Sequence, residues 1–303
     1  MATALEDPVQ DDDETAREIG FSLPDRYNAS ALLFDNLDQG YGDRVAVRTA
    51  RQSVTYEALC AEASRFGAAL RLLGLRRGER VLLLLDDTPD YPAALFGAIR
   101  AGLVPMLINT LSTPELIRFY LEDSGARAAV VDGAFLALVE DNTIAGTSLE
   151  TLIVTNAARL PQRRIRVEAA ADLLSRMPGE IEAADTHRND MAFWMYSSGS
   201  TGRPKGVVHL QHDMAYSAAS YARHILKLTP DDICFSVPKI FFAYGLGNTL
   251  TFPFAVGASS VLMAGRPEPR TILTQIRSYE PTVFFGLPTL YTLHEYFSFC
   301  PNG

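Results

Sequence analysis

The run Tyr196-Ser197-Ser198-Gly199-Ser200-Thr201-Gly202-Arg203-Pro204-Lys205-Gly206 carries four aliphatic hydroxyls, three glycines and a lysine within eleven residues. Glycine adopts backbone conformations closed to other residues and lets amides approach a ligand closely. Successive amides in such a turn form a concavity for an anion. The serines and the threonine add hydroxyl donors, Lys205 adds a compact positive charge, and Pro204 stiffens the approach to it. These are the groups a polyphosphate needs. The stretch is not a Walker A loop, in which lysine follows glycine and precedes Ser or Thr; here Lys205 follows Pro204 and precedes Gly206. Nor does it read as a solvated Gly/Ser linker, because apolar runs that look like strand ends bracket it: Met191 to Tyr196 before, Val207-Val208 after.

Working outward, the chain alternates. Val45-Ala46-Val47 and Ser53-Val54-Thr55-Tyr56 read as a hairpin pair of strands, and Glu57 to Leu73 as a helix, with Leu59, Ala63, Phe66, Leu70 and Leu73 at helical spacing. Val81 to Leu85 is a continuous apolar strand of the kind buried on both faces. A helix over Pro92 to Ala101, a strand over Val104 to Ile108 and a helix over Pro114 to Asp123 follow, the last with Thr113 as N-cap. Next come a strand at Ala128 to Val131, a helix at Phe135 to Glu140 and a strand at Leu152 to Val154. Residues 156–190 are less regular. Beyond the glycine-rich run, the spacing predicts a helix over Asp213 to Lys227 and strands at Ile233 to Ser236 and Ser259 to Met263. A helix at Thr271 to Tyr279, a strand at Thr282 to Phe285 and a helix at Thr289 to Phe299 complete the pattern. Alternating βα units predict an α/β fold with mostly parallel, doubly wound sheets. We expect a mobile acidic N-terminus over residues 1–25 and two lobes, roughly 26–185 and 186–303.

Composition narrows the function classes. At 303 residues, 48% hydrophobic and 21% charged, the chain is an ordinary globular one. A net charge of −9 argues against nucleic acid as a partner. Cys60, Cys234 and Cys300 are far apart and lack metal-ligand spacing; so sparse a set fits a reducing, cytoplasmic compartment. The N-terminus has no positive or apolar segment of a signal peptide. Residues 240–265 are uncharged and long enough to span a bilayer, but Gly245, Gly247, Asn248, Pro253, Gly257, Ser259 and Ser260 interrupt them, so they read as buried loop, helix and strand. Tyr296, Phe297 and Phe299 stand close to the last residue, which leads us to expect a truncated domain.

A second constellation is Pro238-Lys239-Ile240-Phe241-Phe242-Ala243-Tyr244-Gly245-Leu246-Gly247-Asn248. Rings beside small residues build a flat slot, the rings as walls and the small residues as floor; ordinary core is the plainer alternative. The run Ser197 to Gly206 resembles, at every position, the phosphate-binding signature of the adenylate-forming (AMP-binding) superfamily. Phe241 to Asn248 is similar to the acyl-pocket motif of its benzoate–CoA ligase branch, and Gly286-Leu287-Pro288-Thr289-Leu290-Tyr291 to the next strand-to-helix turn.

The resemblance covers the chain from about residue 25 and implies the N-terminal domain of such an enzyme, without the C-terminal domain. It implies ATP-dependent activation of a benzoate-like carboxylate to an acyl adenylate, then a CoA thioester, with ATP, Mg²⁺ and CoA as cofactors. Ser197, Ser198, Gly199, Ser200, Thr201, Gly202, Lys205 and Gly206 would bind phosphate, with Lys205 the catalytic cation, and Phe242, Ala243, Tyr244 and Gly245 would bind the acid. Two rival readings are another adenylate-forming ligase, for a fatty acid or an amino acid, and a non-catalytic nucleotide- or acid-binding fragment. His209 and His212 lack a third ligand nearby and do not make a metal site; His212 with Asp213 more readily closes a turn. Lys239 reads equally as a carboxylate partner or a solvated rim residue, and Asp86-Asp87 as a strand terminus.

Overall fold

The structure is a computed structural model that describes residue 16 and residues 18–197 and 203–288. Seven strands form one sheet: β3 (Arg80–Leu84), β4 (Val104–Leu107), β5 (Ala128–Asp132), β6 (Thr151–Thr155), β7 (Arg166–Ala169), β8 (Met191–Ser197) and β9 (Lys205–Leu210), in the order β7-β6-β5-β3-β4-β8-β9. All neighbours are parallel except β8 and β9. A second sheet holds β1 (Val45–Arg48), β2 (Ser53–Thr55), β10 (Ile233–Ser236), β11 (Ser259–Val261) and β12 (Val283–Phe285), ordered β12-β10-β11-β1-β2. Only the β1–β2 pair in it is antiparallel. Strands from both sides of residue 186 enter each sheet, so sheet membership does not follow a division there.

Side chains alternate between faces along a strand, and this sorts the core. Val81 and Leu83 of β3, Val130 of β5 and Ile153 of β6 enter one apolar cluster. Leu82, Leu84, Ala129, Val131, Leu152 and Val154 enter another on the opposite face, with Ile117 and Leu121 of the helix Pro114–Ser124. The first cluster also takes Val47 and Leu262, so the two sheets share one core. The helices Tyr56–Leu72 and Asp90–Arg100 fill it. Phe96 and Phe254 meet at 5.9 Å, Tyr56 and Phe254 at 5.7 Å, and the Tyr56 hydroxyl donates to the Ala258 carbonyl at 2.6 Å. Phe254 is fully buried, so truncating it to alanine would cost about 3–5 kcal/mol.

Local signals explain the element ends. Thr113 accepts from the Leu116 amide, Pro114 opens the helix, and Gly125 closes it at φ +61°, a conformation costly for other residues. Three segments differ from expectation. Residues Gly133–Leu138 wind as a 3₁₀ helix. The helix expected over 213–227 is α-helical only over Asp213–Ser217 and π-helical over Ala218–Ile225; the Leu226 amide bonds the Tyr221 carbonyl five residues back, so the turn carries an extra residue. The irregular 156–190 stretch contains β7 and a short helix, Ala170–Leu174. As an edge strand β7 tolerates Arg166 and Glu168, which mask its pattern. The uncharged run folds as short helical turns and β11, and no helix among the described residues is long and apolar enough to cross a membrane. The helix expected from Thr289 lies outside the described residues, as do residues 1–15.

Candidate active site

The β8–β9 hairpin sits on the sheet with β8 parallel to β4, and its connection leaves at the carboxyl end of β8. Ligands of open α/β sheets bind beyond the carboxyl ends of the strands. Ser197 faces Lys205 across the ladder, and Tyr196 faces Gly206; Ser197, Lys205 and Gly206 are all exposed. Ser198, Gly199, Ser200, Thr201 and Gly202 lie outside the described residues. The stem of the loop is tied to the helix Pro114–Ser124: the Tyr196 hydroxyl donates to Asp123 Oδ2 at 2.9 Å, and its ring lies 4.2 Å from that of Tyr120. Burial, then the Asp123 carboxylate, pushes the Tyr196 phenol well above its ordinary range, so it stays a donor.

The other face of the same hairpin borders a slot of about 270 Å³. Phe193, Met195 and His209 form one side; Met214, Ala243, Leu246 and Gly247 close it. The Phe193 and His209 rings stack at 4.5 Å with 10° between planes, as their opposed register requires. His209 Nδ1 lies 3.1 Å from Asp213 Oδ2, which also accepts from the Leu210 amide at 3.1 Å. Asp213 Oδ1 is 3.2 Å from His212 Nδ1, so one carboxylate meets both histidines at the turn into the helix Asp213–Ser217. Two π-helical stretches end on the slot, through Ser217 before the first and Gly247 and Thr251 of the second, Gly247–Thr251.

Of the four expected acid-binding residues, Ala243 lines this slot. Phe242 and Tyr244 stand beside it, each 49% exposed, with Phe242 packed 4.7 Å from Phe241. Gly245 is buried against backbone: a Cβ there would fall 1.9 Å from the Lys239 carbonyl oxygen. Sequence reasoning did not assign Phe193, Met195, His209 or Asp213 to the slot; it weighed His209 only as a metal ligand and Asp213 only as a turn partner of His212. The signal for the first two was period-two spacing along a strand; nothing local announced the cross-strand histidine.

Lys239 is not a solvated rim residue. Its side chain is 11% exposed, and Nζ donates to Asp86 Oδ1 at 2.9 Å and to the Met263 carbonyl at 2.6 Å, with Asp87 Oδ2 at 3.8 Å. Asp86 Oδ2 accepts from the Gly265 amide at 2.6 Å, and Asp87 Oδ1 from the Ile240 amide at 3.3 Å. Burial opposes ionisation of Asp86, but Lys239 and the amides of Gly265 and Asp87 outweigh it and hold the carboxyl below its ordinary value. Asp87 lies deeper; burial dominates and pushes it up to about 7. No group of three metal-ligating side chains occurs among the described residues.

Residues 34–294 match the AMP-binding enzyme family. Over 271 residues the chain is 43% identical to a benzoate–CoA ligase of Thauera aromatica, covering 89% of this chain and 50% of that protein. It is 38% identical to a 4-hydroxybenzoate–CoA/benzoate–CoA ligase of Rhodopseudomonas palustris, covering 88% and 48%. A crystal structure of an anthranilate–CoA ligase with anthranoyl-AMP superposes with a TM-score of 0.83 at 35% identity, covering 89% of this chain and 51% of that one. A benzoate–CoA ligase structure from Burkholderia xenovorans gives 0.78 at 39%, covering 88% and 51%. The chain spans about half the length of the curated relatives it matches.

Proposed function

We propose, for a chain that belongs to the AMP-binding enzyme family, that it supplies the phosphate loop and aryl slot of an AMP-forming acid–thiol ligase acting on a benzoate-like carboxylate. In this reading residues 26–303 are part of an adenylation domain. A carboxylate oxygen attacks the α-phosphorus of ATP, pyrophosphate leaves, and the CoA thiol then attacks the acyl adenylate and releases AMP. Ser197, Ser198, Gly199, Ser200, Thr201, Gly202 and Gly206 cradle the β- and γ-phosphates. Lys205 opposes the negative charge that develops there, the kind of preorganised contact that lowers such barriers. Mg²⁺, when bound, would be held mainly by ATP and water and not by side chains of this chain, and would supply positive charge beside Lys205.

One observation carries the reading: slot and loop share a strand. Met195 lines the slot and Ser197 begins the loop, alternate residues on one face of β8, so their Cα atoms are roughly 7 Å apart at about 3.3 Å per residue. An acid with its ring in the slot therefore has its carboxylate at the loop. The slot's 270 Å³ exceeds the roughly 150 Å³ of an apolar cavity known to take benzene, leaving room for a substituted ring. Ala243 and Gly247 keep the slot open where larger residues would fill it.

The test is titration of the chain with benzoate and, separately, with Mg-ATP, for the parent and Ala243→Leu. We expect benzoate to bind the parent and to bind the variant at least ~10-fold more weakly, the scale of one overpacked contact, with Mg-ATP binding unchanged. A parent chain that does not bind benzoate, or a variant that binds it equally well, would place the acid elsewhere.

A further inference from the structure

We infer that Lys239, with Asp86 and Asp87, is a positioning residue for the aryl slot: the cluster pins the Phe242–Gly245 wall to the end of β3. This rests on the proposed aryl-acid function. Three separate stretches meet at the ammonium. Asp86 and Asp87 follow β3 of the seven-stranded sheet, Lys239 follows β10, and Met263 and Gly265 follow β11 of the other sheet. Lys239 is thus the point at which the connection carrying the slot wall is referenced to both sheets. Its own residue is held three ways. The side chain bonds Asp86 and Met263, the next amide bonds Asp87, and its carbonyl accepts from the Phe242 amide at 3.0 Å.

The slot wall itself needs such a reference. Phe242, Ala243 and Tyr244 are exposed, so burial alone does not fix them, although the Phe242 ring meets that of Phe241. Their placement comes from the ends of the segment: the Lys239 anchor before it, and the helical turn Ala243–Leu246 after it. Gly245 transmits one end to the other, since it lies directly against the Lys239 carbonyl. A buried ion pair is weak evidence for stability, because desolvation offsets the attraction, and fixing one arrangement against others is its better-attested use. Here the arrangement fixed is the distance from Ala243 to Phe193 and Met195 across the slot.

The test uses the 1–303 chain and three variants. Lys239→Met keeps an apolar stem of similar length without the charge, Lys239→Arg keeps the charge, and Asp86→Asn keeps the shape of the partner. Hydrogen exchange at the amides of 240–246 reads the anchor directly, with the amides of β5 and β6 as internal reference. Titrations with benzoate and Mg-ATP read its consequence. In Lys239→Met we expect exchange at 240–246 to rise roughly tenfold or more with β5 and β6 unchanged. Benzoate affinity should fall roughly tenfold or more, the scale of one imperfect packing contact, while Mg-ATP affinity stays within about twofold. Lys239→Arg should recover part of both losses, and Asp86→Asn should show them in milder form, which serves if Lys239→Met does not fold.

Unchanged exchange at 240–246 would overturn the anchor. Faster exchange with unchanged benzoate affinity would overturn the positioning role. An equal loss of benzoate and Mg-ATP affinity would reduce the cluster to general stability, and overturn it too. A parent chain that ignores benzoate fails the aryl-acid reading instead, and overturns positioning of an acid along with it, while the exchange data still report whether Lys239 holds the segment.

Discussion

Replacing Gly245 with alanine tests the slot wall at its tightest point. The added carbon would lie 1.9 Å from the Lys239 carbonyl oxygen, 2.5 Å from its carbonyl carbon and 2.7 Å from the Pro238 oxygen. All three are backbone atoms, so no rotamer change relieves the clash. Reaching even a tight 3.0 Å means moving Lys239 or the turn Ala243–Leu246 by about 1 Å. Lys239 is held by Asp86 and Met263, so the turn should give way. Overpacking of this kind costs roughly 3 kcal/mol at the upper end. Alanine regains about 1 kcal/mol of helix propensity over glycine, leaving a net loss near 2 kcal/mol. Unfolding entropy of about 2.1 cal/mol/K per residue over 303 residues converts that to a fall in Tm of roughly 3 °C. The larger effect is on the ligand: a strained contact of about 1–3 kcal/mol between the shifted wall and the ring should weaken benzoate binding by about 10–100-fold.

The assay is a thermal melt and a benzoate titration beside Gly247→Ala, whose added carbon meets only the Phe252 ring, at 3.0 Å. That ring can pivot, so this variant should lose much less in the melt; because Gly247 lines the slot, only the melt serves as the comparison. A Gly245→Ala chain that melts at or above the parent and binds benzoate normally would refute the close-approach argument.

Three more outcomes come from the same geometry. Lys205→Ala should lower benzoate-dependent pyrophosphate release by about 10²–10³-fold; a rate equal to the parent's would remove Lys205 from phosphate chemistry. Asp87 holds a proton when folded up to about pH 7 but releases it near 3.8 when unfolded. The folded state therefore binds more protons across that window, and this group's contribution to stability falls as pH rises from about 4 to 7. Asp87→Asn should flatten that part of the stability profile, measured by chemical denaturation at a series of pH values; a slope identical to the parent's would show that Asp87 ionises normally. Tyr196→Phe removes the hydroxyl that donates to Asp123 and should cost about 1 kcal/mol in the same denaturation assay, with no loss meaning that the loop stem does not depend on this tie.

The parts of the fold legible in the sequence are those whose cause is local. Val81 to Leu84 announce a strand covered on both faces because both faces are apolar, and Thr113-Pro114 announce a helix start because the cap and the proline act within one turn. The phosphate loop is legible for the same reason: its chemistry is contiguous. What was not legible is pairing across distance. The β1–β2 hairpin could be read, but not that β1 lies beside β11. Phe193 could be read as a strand residue, but its stack on His209 exists only once β8 and β9 are registered. Lys239 was undecided because Asp86, the carboxylate it bonds, lies 153 positions away.

The placement of β1 has a consequence for how the chain is made. Residues 80–169 supply β3 to β7, a contiguous run of parallel strands that can assemble as soon as it is complete. The β1–β2 hairpin is synthesised earlier still, yet its parallel partner is Ser259–Val261, with Val47 beside Ser260 about 210 residues on. At translation rates of about 5–20 residues per second the outer edge of β1 waits roughly 10–40 s for that strand. Through that interval Ala46 and Val47, both fully buried at the end, sit on an open strand edge, the kind of surface that pairs with other chains. The parallel sheet of the N-terminal half can form early, whereas the second sheet cannot close until β11 is made. The first-synthesised strands are therefore among the last to become safe from association, and a long sequence separation sets the pace of folding where stability does not.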